Sequence, residues 1–171
     1  TGVQTCALPI LYDPIGIITA ITPFNDPLNL VAHKIGPAIA AGNAVILKPS
    51  DFTPISGIKL VELFLEAGLP YHILNIITGP VNNFGDILVT DSRVDMVSFT
   101  GGSKSGEIIA KAAGVKKVGM ELGSNSPVIV MDDVDVETVA KNCIGGMVWA
   151  AGQNCVGVKR MYVHDTIYDS F

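Results

Sequence analysis

Charged side chains are scarce in this 171-residue sequence: Asp, Glu, Lys and Arg make up 16% of it, against 49% hydrophobic residues. A chain so poor in charge reads as the inside of something larger, either one good core or one domain with a piece of a second. No run of basic residues occurs and the formal net charge is -5, so nothing points to nucleic acid. Long apolar runs are missing too. Pro, Asn or Gly interrupts each one well short of the roughly 20 residues a membrane helix needs, so no membrane span is expected. Of three cysteines, Cys6, Cys143 and Cys155, none falls in a disulfide or zinc-binding pattern, and no metal site is expected. A reducing, cytoplasmic setting is the default.

Residues 1–10 stand apart. They resemble the translation of a widely used sequencing adapter, with an ordinary N-terminal strand as the alternative, and carry no expectation about the fold. The remainder is then expected to be an internal piece of a longer reading frame.

What is present is alternation. Short, β-branched apolar runs at residues 15–21, 44–48, 74–78, 95–100, 117–122 and 127–131 read as strands. Between or after them, residues 30–41, 56–67, about 83–90, 106–113 and 135–150 carry helical spacing or helix-compatible composition. Repeated βα units with nearly all-apolar strands predict an α/β fold, a doubly wound parallel sheet covered on both faces.

In such sheets ligands bind beyond the carboxyl ends of the strands, and the polar candidates fall there. The segment Thr100-Gly101-Gly102-Ser103-Lys104-Ser105-Gly106 joins a strand to a helix. Its glycines let the backbone approach a phosphate, and free N–H groups at a helix start favour an anion; an ordinary tight turn reads the same way. Lys48 ends an apolar strand, and since an unpaired buried ammonium is costly, its head is expected to emerge at the strand end. Asn25, after Pro23-Phe24, closes a turn, caps a helix or serves a site. Cys143, beside Ile144 in a helix, reads as a small core residue. Cys155, after Gly152-Gln153-Asn154, is the candidate nucleophile. Glu121, among Val118, Met120 and Leu122, is expected to be partly desolvated, the condition that makes a carboxylate a useful base. His33, His72 and His164 match no pattern and read as structural or surface residues. Trp149 and Met147 line a substrate route or pack in the core. Asp132-Asp133-Val134-Asp135 lacks the glycine and distal glutamate of a calcium loop and reads as a solvated turn with a helix cap.

A thiol, a carboxylate, a carboxamide and a lysine, each after an apolar run, are the parts of a covalent aldehyde oxidation. Their motifs occur in the order Pro23-Phe24-Asn25, Leu47-Lys48-Pro49-Ser50, Glu121-Leu122-Gly123-Ser124 and Gly152-Gln153-Asn154-Cys155. With Phe99-Thr100 and the G-x-x-x-x-G spacing of Gly101 and Gly106, the chain resembles the aldehyde dehydrogenase superfamily from about Leu11 to Phe171.

The resemblance implies that Cys155 adds to an aldehyde as thiolate, because the tetrahedral adduct is what can release a hydride and leave a thioester. It implies that the Asn25 amide and the Cys155 backbone N–H bind the oxyanion, a donor typically contributing around 3 kcal/mol. Glu121 would activate the water that cleaves the thioester. Lys48, with Ser50 and Asp51, would meet the adenosine ribose of the cofactor. Thr100, Gly101, Gly102, Ser103 and Gly106 would meet its phosphates, and Leu122 would lie near the nicotinamide. Asp51 stands where NAD-preferring members often carry glutamate, so NAD is favoured, with NADP second. Two departures are noted: Gly102 where many members carry serine, and Ser124 where the family usually carries a second glycine. The implied organisation is a cofactor domain over residues 11–123 and the beginning of a catalytic domain over 124–171, in a dimeric or tetrameric homo-oligomer acting on a small-molecule aldehyde. The competing expectations are a CoA-acylating aldehyde dehydrogenase, a non-catalytic relative on the same fold, and a fragment inactive alone.

Overall fold

A computed structural model describes residues 12–171. The expectation about residues 1–10 therefore lies outside the described residues. Five strands, β1 (Ile17–Ile21), β2 (Ala44–Lys48), β3 (Leu74–Ile76), β4 (Met96–Thr100) and β5 (Lys117–Glu121), form one parallel sheet in the order β3-β2-β1-β4-β5. Helices α1 (Asn29–Ala40), α2 (Pro54–Glu66), α3 (Gly85–Thr90) and α4 (Ser103–Ala113) make the crossovers that parallel pairing requires. A second, two-stranded parallel sheet pairs β6 (Pro127–Val130) with β7 (Arg160–Val163) through α5 (Val136–Val148).

The strand order reverses at β1, so right-handed crossovers send α1 and α2 to one face and α3 and α4 to the other. Side-chain parity agrees. Ile18 and Ala20 of β1 join a core with Val31, Ile35, Val45, Leu47, Val61 and Leu74, whereas Ile17 and Ile21 pack toward Val89, Val94, Val97 and Ala113. The sheet is thus covered on both sides, as its apolar strands predict.

The chain between α1 and β2 is held by one buried carboxamide. Asn43 Oδ1 accepts the backbone N–H groups of Ile15 (2.6 Å) and Gly16 (3.0 Å), and its Nδ2 donates to the Ala38 carbonyl at 2.9 Å. Three main-chain groups from the start of β1 and the end of α1 are satisfied by this side chain. Gly42 beside it turns in the left-handed region at φ 81°.

Several boundaries differ from the sequence expectation. The helix α4 begins at Ser103, three residues before the expected start, because extended Gly102 (φ -69°, ψ 147°) occupies the N-cap and accepts the Gly106 N–H at 3.0 Å. Gly106 therefore lies inside the first turn, where an added Cβ would strike the Leu122 side chain. The helix α5 stops at Val148, two residues early, since Ala150 and Ala151 adopt left-handed φ values of 52° and 56°. Asp135 caps α5 by accepting the Thr138 N–H at 3.0 Å, and that bond holds its carboxyl below the usual range.

Replacing Asn43 by Ala strands the Ile15 and Gly16 backbone donors in a nearly closed site (Asn43 is 4% exposed), while the Ala38 carbonyl keeps the backbone N–H of residue 43 at 3.0 Å. The expected cost is about 2–4 kcal/mol, read as a lower denaturation midpoint in urea at unchanged m-value. A midpoint equal to the wild type would contradict this account of the β1–α1 junction.

Candidate active site

Parallel pairing brings the carboxyl ends of β1, β2, β4 and β5 to one edge. Ile21 is opposite both Lys48 and Phe99, and Thr100 is opposite Glu121. Two cavities open at this edge, one on each face of the sheet.

The first, about 530 Å³, lies on the α1 side. The main sheet contributes Ser98, Thr100, Gly119, Met120 and Glu121, α1 and the loop before it contribute Asn25, Asp26, Asn29, Leu30, His33 and Lys34, and the segment after α5 contributes Trp149, Asn154, Cys155 and Val156. The three residues expected to do chemistry, Asn25, Glu121 and Cys155, line this one cavity. Asn25 does not cap α1, whose N-cap is Leu28 without a side-chain bond. The turn after it is set by Asp26 at φ 44°, whose carbonyl accepts the Leu30 N–H at 2.9 Å.

Glu121 corrects one expectation. Its side chain is exposed, not partly desolvated, because β5 is one of the two edge strands and pairs with a neighbour on one side only. Its backbone is fixed: the Glu121 carbonyl accepts the Gly101 N–H at 3.0 Å, tying this strand end to the glycine turn.

Cys155 is exposed and Cys143 buried, the division expected from their settings. The segment before Cys155 is tightly wound. Ala150, Ala151 and Gly152 are consecutive residues in the left-handed region, at φ 52°, 56° and 72°. Asn154 closes the loop from inside: buried at 8% exposure, it donates from Nδ2 to the Trp149 carbonyl at 2.9 Å. Gly157 makes room for it, since a Cβ there would fall 2.6 Å from the Asn154 Oδ1. Lys159 Nζ donates to the Gly152 carbonyl at 3.1 Å, and Ser126 Oγ to the Cys155 carbonyl at 2.9 Å.

Lys34 escaped the sequence reading. Its ammonium donates to Ser98 Oγ at 2.9 Å in the cavity wall. Burial holds its pKa below the ordinary lysine value, while the Glu121 carboxylate pulls the other way. The signal was available only as one lysine, next to His33, on a mostly apolar helix. His33, expected to be a structural or surface residue, also faces the cavity, and Trp149 lines it while Met147 does not. His72 stacks edge-on with Tyr71, and His164 caps the short turn at Asp165–Ile167.

The second cavity, about 430 Å³, lies on the opposite face between α3 and α4. Its walls are mainly apolar (Ile21, Val81, Leu88, Val89, Ile108, Ile109), with Lys48, Asp86 and Ser105 as polar members. Lys48 is not an emerging surface lysine. It is 5% exposed, and its ammonium is capped by the Pro49 carbonyl at 2.8 Å and by Asp51 at 2.5 Å. Pairing removes the penalty that would have driven it outward. Of the other residues expected to hold a cofactor, Thr100 lines the first cavity. Ser50 accepts the Phe52 N–H at 3.3 Å. Gly101, Gly102, Ser103, Gly106 and Leu122 line neither cavity, and lie where β4 turns into α4 and β5 ends. Gly101 is required sterically, because a Cβ would meet the Phe99 ring at 2.5 Å. Gly102 is not; a side chain there would enter open space, so the serine that many family members carry would fit.

The aldehyde dehydrogenase family model matches residues 5–171. Aspartate-semialdehyde dehydrogenase 1 of Pseudomonas canavaninivorans is 54% identical over 159 residues, 93% of this chain and 34% of that protein. The solved NADP-dependent glyceraldehyde-3-phosphate dehydrogenase from Bacillus halodurans C-125, complexed with NADP, superposes at TM-score 0.87 with 42% identity. Betaine aldehyde dehydrogenase from Staphylococcus aureus in complex with NAD+ superposes at 0.88 with 39% identity. Both structural matches cover 92% of this chain, and 33% and 32% of theirs. The chain thus spans about a third of the length of the relatives it matches.

Lys34 provides a pH test. Its folded-state pKa lies below the ordinary 10.5, so between the two values the unfolded chain binds more protons and stability rises with pH. Below the folded-state value the destabilising charge is fully present. Carbon-13 NMR of reductively methylated lysines should show Lys34 titrating below its surface counterparts, and Glu121→Gln should lower that titration further. A Lys34 titration at the ordinary value would contradict the burial argument.

Proposed function

This chain belongs to the aldehyde dehydrogenase family, and from that membership we propose that the protein of which it forms part oxidises an aldehyde to a carboxylic acid with a nicotinamide cofactor. The observation that carries the reading is the meeting of Asn25, Glu121 and Cys155 in the wall of a single cavity.

In this reading the Cys155 thiolate adds to the aldehyde carbon, forming a C–S bond as the carbonyl π pair moves onto oxygen. The Asn25 amide and the Cys155 backbone N–H stabilise that oxyanion. A nicotinamide bound here would supply the acceptor for the hydride that the Cys155 adduct must lose. The thioester left on Cys155 is attacked by a water whose proton passes to Glu121, and the acid departs as the thiolate is restored. Exposure of Glu121 suits this second task, which needs water at the carboxylate. Lys34 faces the same cavity and would moderate the negative charge that accumulates there.

The second cavity fits the adenosine end of the cofactor. Apolar walls suit a flat ring, and Lys48 with Asp51 offers a donor and an acceptor for ribose hydroxyls. At the N-terminal turn of α4 the Gly102 and Ser103 N–H groups are suited to phosphates, while Gly101 and Gly106, whose own N–H groups bond the Glu121 and Gly102 carbonyls, keep side chains out of the turn beside Thr100 and Leu122. The Asp51 carboxylate would repel a 2′-phosphate, which favours NAD over NADP. On this reading residues 11–123 belong to the cofactor domain and 124–171 begin the catalytic domain, within a homo-oligomer.

A second reading, transfer of the acyl group to CoA, uses the same Cys155 but leaves Glu121 without a task. In the full-length enzyme, Cys155→Ala should abolish NADH formation, and Glu121→Gln should give one burst of NADH without sustained turnover. Turnover that requires CoA would favour the acylating reading; wild-type-like turnover of Cys155→Ala would overturn both. Asp51→Ser should narrow the preference for NAD, measured as the ratio of kcat/KM for the two cofactors.

A further inference from the structure

The motif around Glu121 ends in Ser124, where the sequence departs from Gly-Gly, and the structure gives that hydroxyl a partner. Ser124 Oγ lies 2.5 Å from Ser126 Oγ, and Ser126 Oγ lies 2.9 Å from the Cys155 carbonyl oxygen. Proton counting fixes the direction. A carbonyl only accepts, so the single Ser126 hydroxyl proton goes to Cys155, and Ser124 must supply the proton of the serine–serine bond. The Ser124 oxygen in turn accepts the Ser126 backbone N–H at 3.1 Å. Each member of the chain is thereby used once as donor, and donation runs from the segment after Glu121 toward the main chain of Cys155.

The anchor of this chain is rigid. The Ser126 carbonyl accepts the N–H groups of Lys159 (3.0 Å) and Arg160 (3.2 Å), and the next residue, Pro127, opens β6 in register with β7. Arg160 Nε adds a bond to the Asn125 carbonyl at 2.9 Å. Cys155 by contrast sits in a loop, exposed, after three left-handed residues. Within that loop Asn154 fixes the preceding turn to Trp149, but it does not hold the peptide that follows the thiol. Ser126 is what holds that peptide.

We infer that Ser126, braced by Ser124, is a positioning residue for Cys155, and that the two hydroxyls couple the strand end carrying Glu121 to the main chain of the thiol. The inference rests on the reading of Cys155 as nucleophile. A hydrogen bond to the Cys155 carbonyl fixes the peptide plane on one side of the thiol and so limits where the Sγ and the backbone N–H point. Positioning of this kind acts on the chemical step, not on ground-state binding.

The test uses the full-length enzyme with Ser126→Ala, Ser124→Gly, the double variant, and Ser126→Thr. Ser126→Thr keeps the hydroxyl, and a β-branched residue suits the extended backbone that precedes proline. Ser126→Ala should lower kcat roughly tenfold with KM for aldehyde and cofactor changed by no more than about twofold. Ser124→Gly should lower kcat by about threefold, and the double variant should be no slower than Ser126→Ala, because Ser124 acts through Ser126. Ser126→Thr should recover most of the lost rate.

A kcat for Ser126→Ala within about twofold of wild type would overturn the inference, as would losses that multiply in the double variant. Should Ser126→Ala fail to fold, Ser124→Gly, at an exposed position, decides the matter in the same way. Cys155→Ala run in parallel separates the two readings. If it is inactive while Ser126→Ala is normal, only the hydroxyl chain fails; if Cys155→Ala turns over, the nucleophile assignment fails first.

Discussion

Parallel pairing in register governs where every candidate group of the main sheet lies. Because β1, β2, β4 and β5 run the same way, their last residues share one edge, and Asn25, Lys48, Thr100 and Glu121 arrive there from separate sequence positions. The reversal of order at β1 then splits that edge into two faces. The cavity with the thiol and carboxylate opens beside α1, and the cavity edged by Lys48 opens between α3 and α4.

The thiol is brought to this edge by a different device. Cys155 belongs to the βαβ unit of β6, α5 and β7, and it reaches the first cavity through a turn in which two alanines take left-handed angles. Such residues cost of order 1–2 kcal/mol each. Side chains around the loop offset that cost: Asn154 bonds the Trp149 carbonyl, Lys159 the Gly152 carbonyl, and Ser126 the Cys155 carbonyl. The local conformation is therefore imposed by its surroundings and not by intrinsic preference.

That distinction explains what was legible in the sequence. Strand positions and the doubly wound class follow from apolar runs and breakers, and the expected strands at 44–48 and 95–100 fall on β2 and β4 almost residue for residue. Chemical candidates could be named because the motifs around Asn25, Lys48, Glu121 and Cys155 resemble, in order, those of the aldehyde dehydrogenase superfamily. Burial was harder. Lys48 was expected to emerge and is instead buried, since its partner Asp51 lies on a turn whose geometry no periodicity encodes. Glu121 was expected to be desolvated and is exposed, since strand order decides which strand lies at an edge. Lys34 was invisible because its meaning depends on Ser98, 64 residues away.

The two apolar clusters share β1 and β4 and little else. Ile18, Ala20 and Met96 face one cluster, while Ile17, Ile21 and Val97 face the other. Each of the helices α1 to α4, by contrast, packs into a single cluster. Sequence drift in a helix is consequently a local matter, absorbed on one side of the sheet. Drift in either central strand is constrained twice over, because adjacent positions answer to different cores. The most restrictive stretch of this fold is thus a ten-residue pair of strands, and the variation that could adapt the site to new ligands is left to the helices and the loops above them.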